Sequence, residues 1–186
     1  MSRVLAVYSS HYGQTEKIVR HLVDRWEREG HDVTLWQADR LPIVRSLAGF
    51  DAVLVAGSVE LGRHQRAIRR FVQAHRAELQ AVPSAFLSVC GALVGNWPDG
   101  AAESRTYRQT FEQETGWRPA LSRSVAGAIK YRSYGWVTRW IMQRLMRRTG
   151  RPTDTSRDWE GTDWNAVDRI GDDLVASIPA VPAASY

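Results

Sequence analysis

The residues best suited to chemistry stand together near the N-terminus, in the run Ser9, Ser10, His11, Tyr12, Gly13, Gln14, Thr15. Ser9, Ser10 and Thr15 offer hydroxyl donors, Gly13 permits a tight turn, and a helix starting near Gln14 would aim unpaired backbone N–H groups at the same point. Neutral donors in that arrangement make a cradle for an anion, because bonds to a phosphate oxygen are charge-assisted and the helix dipole adds to them. The spacing is neither GxGxxG nor GxxxxGK[ST], which disfavours a dinucleotide turn and a nucleotide P-loop and leaves a monoester phosphate as the ligand class. A second reading is that Thr15, with Glu16 behind it, simply caps the helix.

Other candidate chemistry is thin. Cys90 is the single cysteine, so no internal disulfide and no CxxC metal spacing exists, and a reducing cytoplasm fits best. His21, His64 and His75 are scattered over helical segments without ligand spacing, and read as surface or hydrogen-bonded histidines rather than metal ligands. Asp154, Asp158, Glu160 and Asp163 do not follow the EF-hand order and read as a capping loop, with Thr162 or Asp163 as N-cap of the last helix. No metal is expected, and no side chain stands out as a catalytic acid or base.

The elements that must position the first loop alternate regularly. Apolar runs at 3–8, 31–37, 51–58, 83–91 and 124–131 read as strands, and helical periodicity recurs at about 14–29, 65–80, 104–116, 134–149 and 164–178. Five strand-to-helix alternations imply an α/β fold, a doubly wound five-stranded parallel sheet with helices on both faces. In such folds ligands sit at the carboxyl ends of the strands, which points to the loops 9–15, 57–62 and 88–99. Length predicts a single domain over 1–178, with 179–186 as a frayed tail.

Charge is unevenly placed. The net charge is +5, yet residues 115–153 carry Arg118, Arg123, Lys130, Arg132, Arg139, Arg144, Arg147, Arg148 and Arg151 and no acid, so the rest of the chain is net negative. Such a segment implies an anionic partner. Within its basic helical part, 130–151, Trp136, Val137, Trp140, Ile141 and Leu145 cover half a helix, with Arg139 outside that arc, Arg147 at its edge and Arg144 and Arg148 inside it. The helix reads either as lying on an anionic membrane surface, its arginines snorkelling, or as packing on the sheet with a solvated basic face. No apolar run approaches the length of a spanning helix and no signal peptide is expected.

The segments SSHYGQT, AGSVELGRHQ, FVQAH, VPSAFLSV, AGAIKYRSYGW, IMQRLMRRTG and TDTSRDWEGTDW resemble, in order, those of the quinone-dependent protoporphyrinogen dehydrogenases of the flavodoxin superfamily. The resemblance spans about residues 3–175; the first loop is shared by many flavodoxin relatives, and the last segments are specific to this subgroup. It implies a flavodoxin-like sheet in the order 2-1-3-4-5, and FMN as cofactor. Ser9 to Thr15 would wrap its phosphate; Ser58 and Val59 would line one side of the isoalloxazine, and Ser88, Val89, Cys90 and Gly91 the other.

The implied reaction oxidises protoporphyrinogen IX with menaquinone or ubiquinone at the inner face of the cell membrane, Trp136, Arg139, Trp140, Arg144, Arg147 and Arg148 meeting lipid or substrate. Homo-oligomer formation is left open and no nucleic acid is expected. The other readings are an electron-transfer flavodoxin, an FMN-dependent quinone reductase with another donor and, from another class, a flavin-free nucleic-acid module using the same arginines.

Overall fold

The computed structural model describes residues 1–40, 46–95, 98–129 and 158–179. In chain order its elements are β1 (Arg3–Ser9), α1 (Gln14–Arg28), β2 (Asp32–Gln37), β3 (Ala52–Glu60), β4 (Arg63–His64), α2 (Arg66–Ala74), α3 (Arg76–Ala81), β5 (Ser84–Cys90), α4 (Gly100–Thr115), β6 (Leu121–Ala126), β7 (Ala128–Ile129), β8 (Trp159–Glu160) and α5 (Trp164–Ala176). Five strands pair in parallel in the order β2-β1-β3-β5-β6. Counting only these, the order is the 2-1-3-4-5 expected of the flavodoxin-like fold.

Period-two alternation divides the strands between two cores. Val4, Ala6 and Tyr8 of β1, Leu54 and Ala56 of β3, and Leu87 and Val89 of β5 face one side, where Ile18, Leu22 and Trp26 of α1 and Val167, Ile170 and Leu174 of α5 cover them. Leu5, Val7, Val53, Val55 and Phe86 face the other, under Ile68, Phe71 and Val72 of α2, Leu79 of α3, and Phe111 and Trp117. Covering both faces explains why the strands read as unbroken apolar runs. Gly171 makes the approach of α5 to α1 possible, since a Cβ there would lie 2.7 Å from Leu22 Cδ2.

Three elements differ from the sequence reading. The helix expected over 65–80 is two, α2 and α3, broken at His75 (φ −107°, ψ 17°). His75 Nδ1 lies 2.8 Å from Glu78 Oε2, and the other carboxylate oxygen of Glu78 accepts from Leu47 N–H (2.8 Å) and Ser46 O–H (2.9 Å). His75 is the main reason the Glu78 carboxyl is held below its ordinary pKa. The fifth strand ends at Ala126 rather than near 131: Gly127 N–H donates to Cys90 O (2.9 Å), and the chain then pairs with β8 instead of the main sheet. Third, β3 turns back on itself as a hairpin with β4, through Leu61 (φ 47°) and Gly62 (φ 81°). The helix expected at 134–149 lies outside the described residues.

Candidate cofactor site

Ser9, Gly57, Ser88 and Ser124 stand in register across β1, β3, β5 and β6. This row brings the loops after the first three of those strands to one level at the carboxyl edge of the sheet, so the residues named from sequence in 9–15, 58–59 and 88–91 converge.

In the first loop Gly13 adopts φ 80° and serves as N-cap of α1, and no side chain caps that helix. The capping reading of Thr15 therefore fails. Its hydroxyl is buried without a hydrogen-bond partner, as are those of Ser10 and Ser58. A buried polar group left unpaired costs about 1–3 kcal/mol, and the first-turn amides of α1 add unpaired donors at the same place. Two hydroxyls beside an uncapped helix start, with a third at the end of β3, are the donor set that a phosphate ester and the group it carries would satisfy. The residues present fit FMN.

The other hydroxyls of the row are engaged. Ser9 Oγ donates to Gln65 Oε1, and Gln65 Nε2 donates to Glu60 Oε1 (3.2 Å). His11 Nδ1 lies 3.7 Å from the same Glu60 oxygen. Ser88 Oγ is 2.9 Å from Nε2 of His64, both side chains buried. Ser88 therefore has only its backbone to offer a ligand in this arrangement. Val89 and Cys90 are buried, and Cys90 forms no disulfide. Gly91 opens a short 3-10 turn, Gly91–Leu93.

The segment 158–163 is tied to the start of α1 and to the end of β6. Gln14 Nε2 donates to Thr162 Oγ1 (2.9 Å), which donates to Ala126 O (3.1 Å). Gly161 N–H donates to Gly127 O (3.1 Å), and Lys17 pairs with Glu160 (2.9 Å). Tyr12, Leu93 and Trp159 pack on Val94 and Ala126, joining first loop, third loop and β8 in one small apolar cluster. Burial first, and the Glu60 charge second, raise the Tyr12 phenol above its ordinary pKa. Asp163 caps α5, its Oδ1 accepting from Ala166 N–H (3.0 Å), as one of the two expected caps.

An open groove of about 700 Å³ runs from Gly13 along α1 to Trp164. It is no second anion site, because Lys17 is committed to Glu160, Arg20 to Glu16 and His21 to Asp168. His21, His64 and His75 are thus hydrogen-bonded histidines, as their scattered spacing suggested. Trp97, Trp136, Arg139, Trp140, Arg144, Arg147 and Arg148 lie outside the described residues. Sequence reasoning missed the roles of His64, Gln65 and Thr162: the first two sit directly after the second loop, and Thr162 was visible only as a cap candidate.

A family model described as a flavodoxin domain matches residues 5–156. Protoporphyrinogen IX dehydrogenase [quinone] of Leishmania major is 32% identical over 184 residues, covering 97% of this chain and 78% of that protein. The protein of the same description from Escherichia coli K12 is 29% identical over 166 residues, 89% and 90% of the two chains. Among solved structures, an apo NADH:FMN oxidoreductase aligns with TM-score 0.58 and 11% identity, covering 98% of this chain and 92% of its own. Oxidised flavodoxin 1 of Bacillus cereus aligns with TM-score 0.54 and 14% identity over 96% and 100%. The structural likenesses support the fold, and the sequence matches carry the family: this chain belongs to the flavodoxin-domain family, among its protoporphyrinogen IX dehydrogenase [quinone] members, and is an FMN-dependent oxidoreductase.

Proposed function

We propose that this oxidoreductase takes reducing equivalents from protoporphyrinogen IX and delivers them to a membrane quinone, menaquinone or ubiquinone, in haem biosynthesis. The observation that carries the redox reading is the trio of buried, unpartnered hydroxyls at Ser10, Thr15 and Ser58. The donor and acceptor are supported by the names of the relatives.

FMN, when bound, supplies the hydride and electron chemistry. The chain supplies its grip and surroundings. Ser10, Thr15 and the amides that follow Gly13 would hold the phosphate, with Ser9, His11, Tyr12 and Gln14 shaping the loop around it. Ser58 and Val59 on one side, and the backbone of Ser88, Val89, Cys90 and Gly91 on the other, would flank the ring. Tyr12, packed with Leu93 and Trp159 on Val94 and Ala126, would shield that corner from water.

Placement at an anionic membrane face is part of the same reading. The acid-free run of nine bases in 115–153 supports it, at roughly 1 kcal/mol for each basic group near lipid. Among the described residues no helix is long and apolar enough to cross a membrane. Trp136, Arg139, Trp140, Arg144, Arg147 and Arg148 are the contacts proposed for lipid or for the substrate carboxylates.

The test is anaerobic. Protein loaded with FMN is mixed with protoporphyrinogen IX, and then with a menaquinone or ubiquinone analogue. The expected result is bleaching of the flavin by the porphyrinogen and rapid recovery of colour with quinone. Bleaching by dithionite but not by porphyrinogen would overturn the donor, and slow recovery with every quinone would overturn the acceptor.

A further inference from the structure

His64 is a residue that the function above does not use. It belongs to β4 and pairs with Val59 of β3, so its backbone is part of the hairpin that carries one proposed wall of the ring site. Its ring turns inward beneath the sheet edge, 4% of the residue exposed. There it meets Phe111 (centroids 4.8 Å) and Phe86 (5.2 Å), while Nε2 reaches Ser88 Oγ at 2.9 Å. Gly57 leaves the space for this approach: a Cβ there would stand 3.3 Å from His64 Cδ2.

An apolar side chain would fill such an aromatic recess at less cost. Burial, with the nearby charge of Arg69 second, lowers the imidazole pKa to about 3, so the ring is neutral and pays for its desolvation. What it gains is a directional bond to one hydroxyl, and that hydroxyl belongs to the neighbouring strand β5, immediately before Val89, the ladder partner of Ser58. A buried polar pair is a costlier and more exacting spacer than an apolar contact, because it works only over a narrow range of distance and angle.

Resting on the FMN site proposed above, we propose that His64 and Ser88 are a positioning pair that fixes the β3–β4 hairpin against β5 where the ladder ends at Ser58 and Val89, and thereby sets how tightly the isoalloxazine ring is held between the loops that leave those strands. The pair touches neither phosphate nor substrate. It acts through the backbone of Val59 on one side and of Val89 on the other, and so affects the ring while leaving the phosphate cradle unchanged.

Riboflavin, which has the ring without the phosphate, separates the two. The full chain, stripped of flavin, is titrated with FMN and with riboflavin by quenching of flavin fluorescence in wild type, S88A, H64F, the double variant and T15V. S88A and H64F are each expected to weaken both ligands by the same factor, about tenfold as for loss of one buried hydrogen bond. The double variant is expected to be no weaker than either single one. T15V weakens FMN alone. Additive losses in the double variant, or unchanged affinities with a lowered Tm, would overturn the proposal and leave His64 a packing residue. S88A removes only one hydroxyl, so it decides the question even where H64F does not fold.

Discussion

The two faces of the sheet treat the same residue type in opposite ways at the row through Ser9, Gly57 and Ser88. On the side of α2, the hydroxyls of Ser9 and Ser88 are both bonded, to Gln65 and His64. On the side of α1, Ser58 follows Leu54 and Ala56 in the period-two alternation, and its hydroxyl is unpartnered, as are those of Ser10 and Thr15 around the start of α1. Folding satisfied the hydroxyls that position the loops and left unsatisfied those that a ligand would bond. A serine-rich turn is therefore not one feature but two, and the side each side chain takes decides which.

The sharpest way to break this contrast is to remove the unpartnered hydroxyls. S10A combined with T15V is expected to raise the FMN Kd by about 100-fold or more, two charge-assisted bonds being lost. The flavin-free protein, relieved of orphaned buried polar groups, should keep or raise its Tm. A lowered Tm would show that these hydroxyls support the fold after all. Calorimetry of flavin-free protein checks both halves.

The next effect belongs to the bonded side and is read by pH. The unfolded chain binds a proton at His64 below about 6.5, whereas the folded chain resists it down to about 3. Stability contributed by this site is thus complete above pH 6.5 and is lost as pH falls from there toward 3, at about 1.4 kcal/mol per pH unit. H64F should flatten that part of a stability-against-pH curve followed by urea unfolding. An unchanged slope would mean that His64 becomes charged in the folded protein.

Smaller still, Q65A should release Ser9 from its bridge through Gln65 to Glu60 and weaken FMN about threefold, since one part-buried hydrogen-bond relay is lost. The smallest effect on the site is expected outside the contrast altogether. D163A removes the α5 cap and costs about 1 kcal/mol in stability, with the FMN Kd unchanged within error. A clear loss of affinity there would extend the site through Thr162 to the cap itself.

The strands and the first loop were readable from the chain because their signals are local. Val4–Val7 and Val53–Val55 are unbroken apolar runs, and the seven residues from Ser9 to Thr15 carry their donors in sequence. The break at His75 was not readable, since Ile68, Phe71, Val72 and Leu79 keep helical spacing across it; the cause is a carboxylate that also ties down Ser46 and Leu47. The β3–β4 hairpin lacks the Asn-Gly or Asp-Gly signal that a turn with two positive φ values favours, offering Leu61-Gly62 instead. The His64–Ser88 bond joins residues 24 apart and has no sequence signature. The acid-free segment was plain in sequence, but its arginines lie outside the described residues.

On the proposed reading, the unpartnered hydroxyls of the α1 side grip the phosphate of FMN. A crystal structure of the FMN-loaded chain tests it most directly, through the distances from Ser10 Oγ and Thr15 Oγ1 to the phosphate oxygens. Both are expected within about 2.5–3.2 Å, with first-turn amides of α1 on the same group. A phosphate held elsewhere, with either hydroxyl still unbonded, would contradict it.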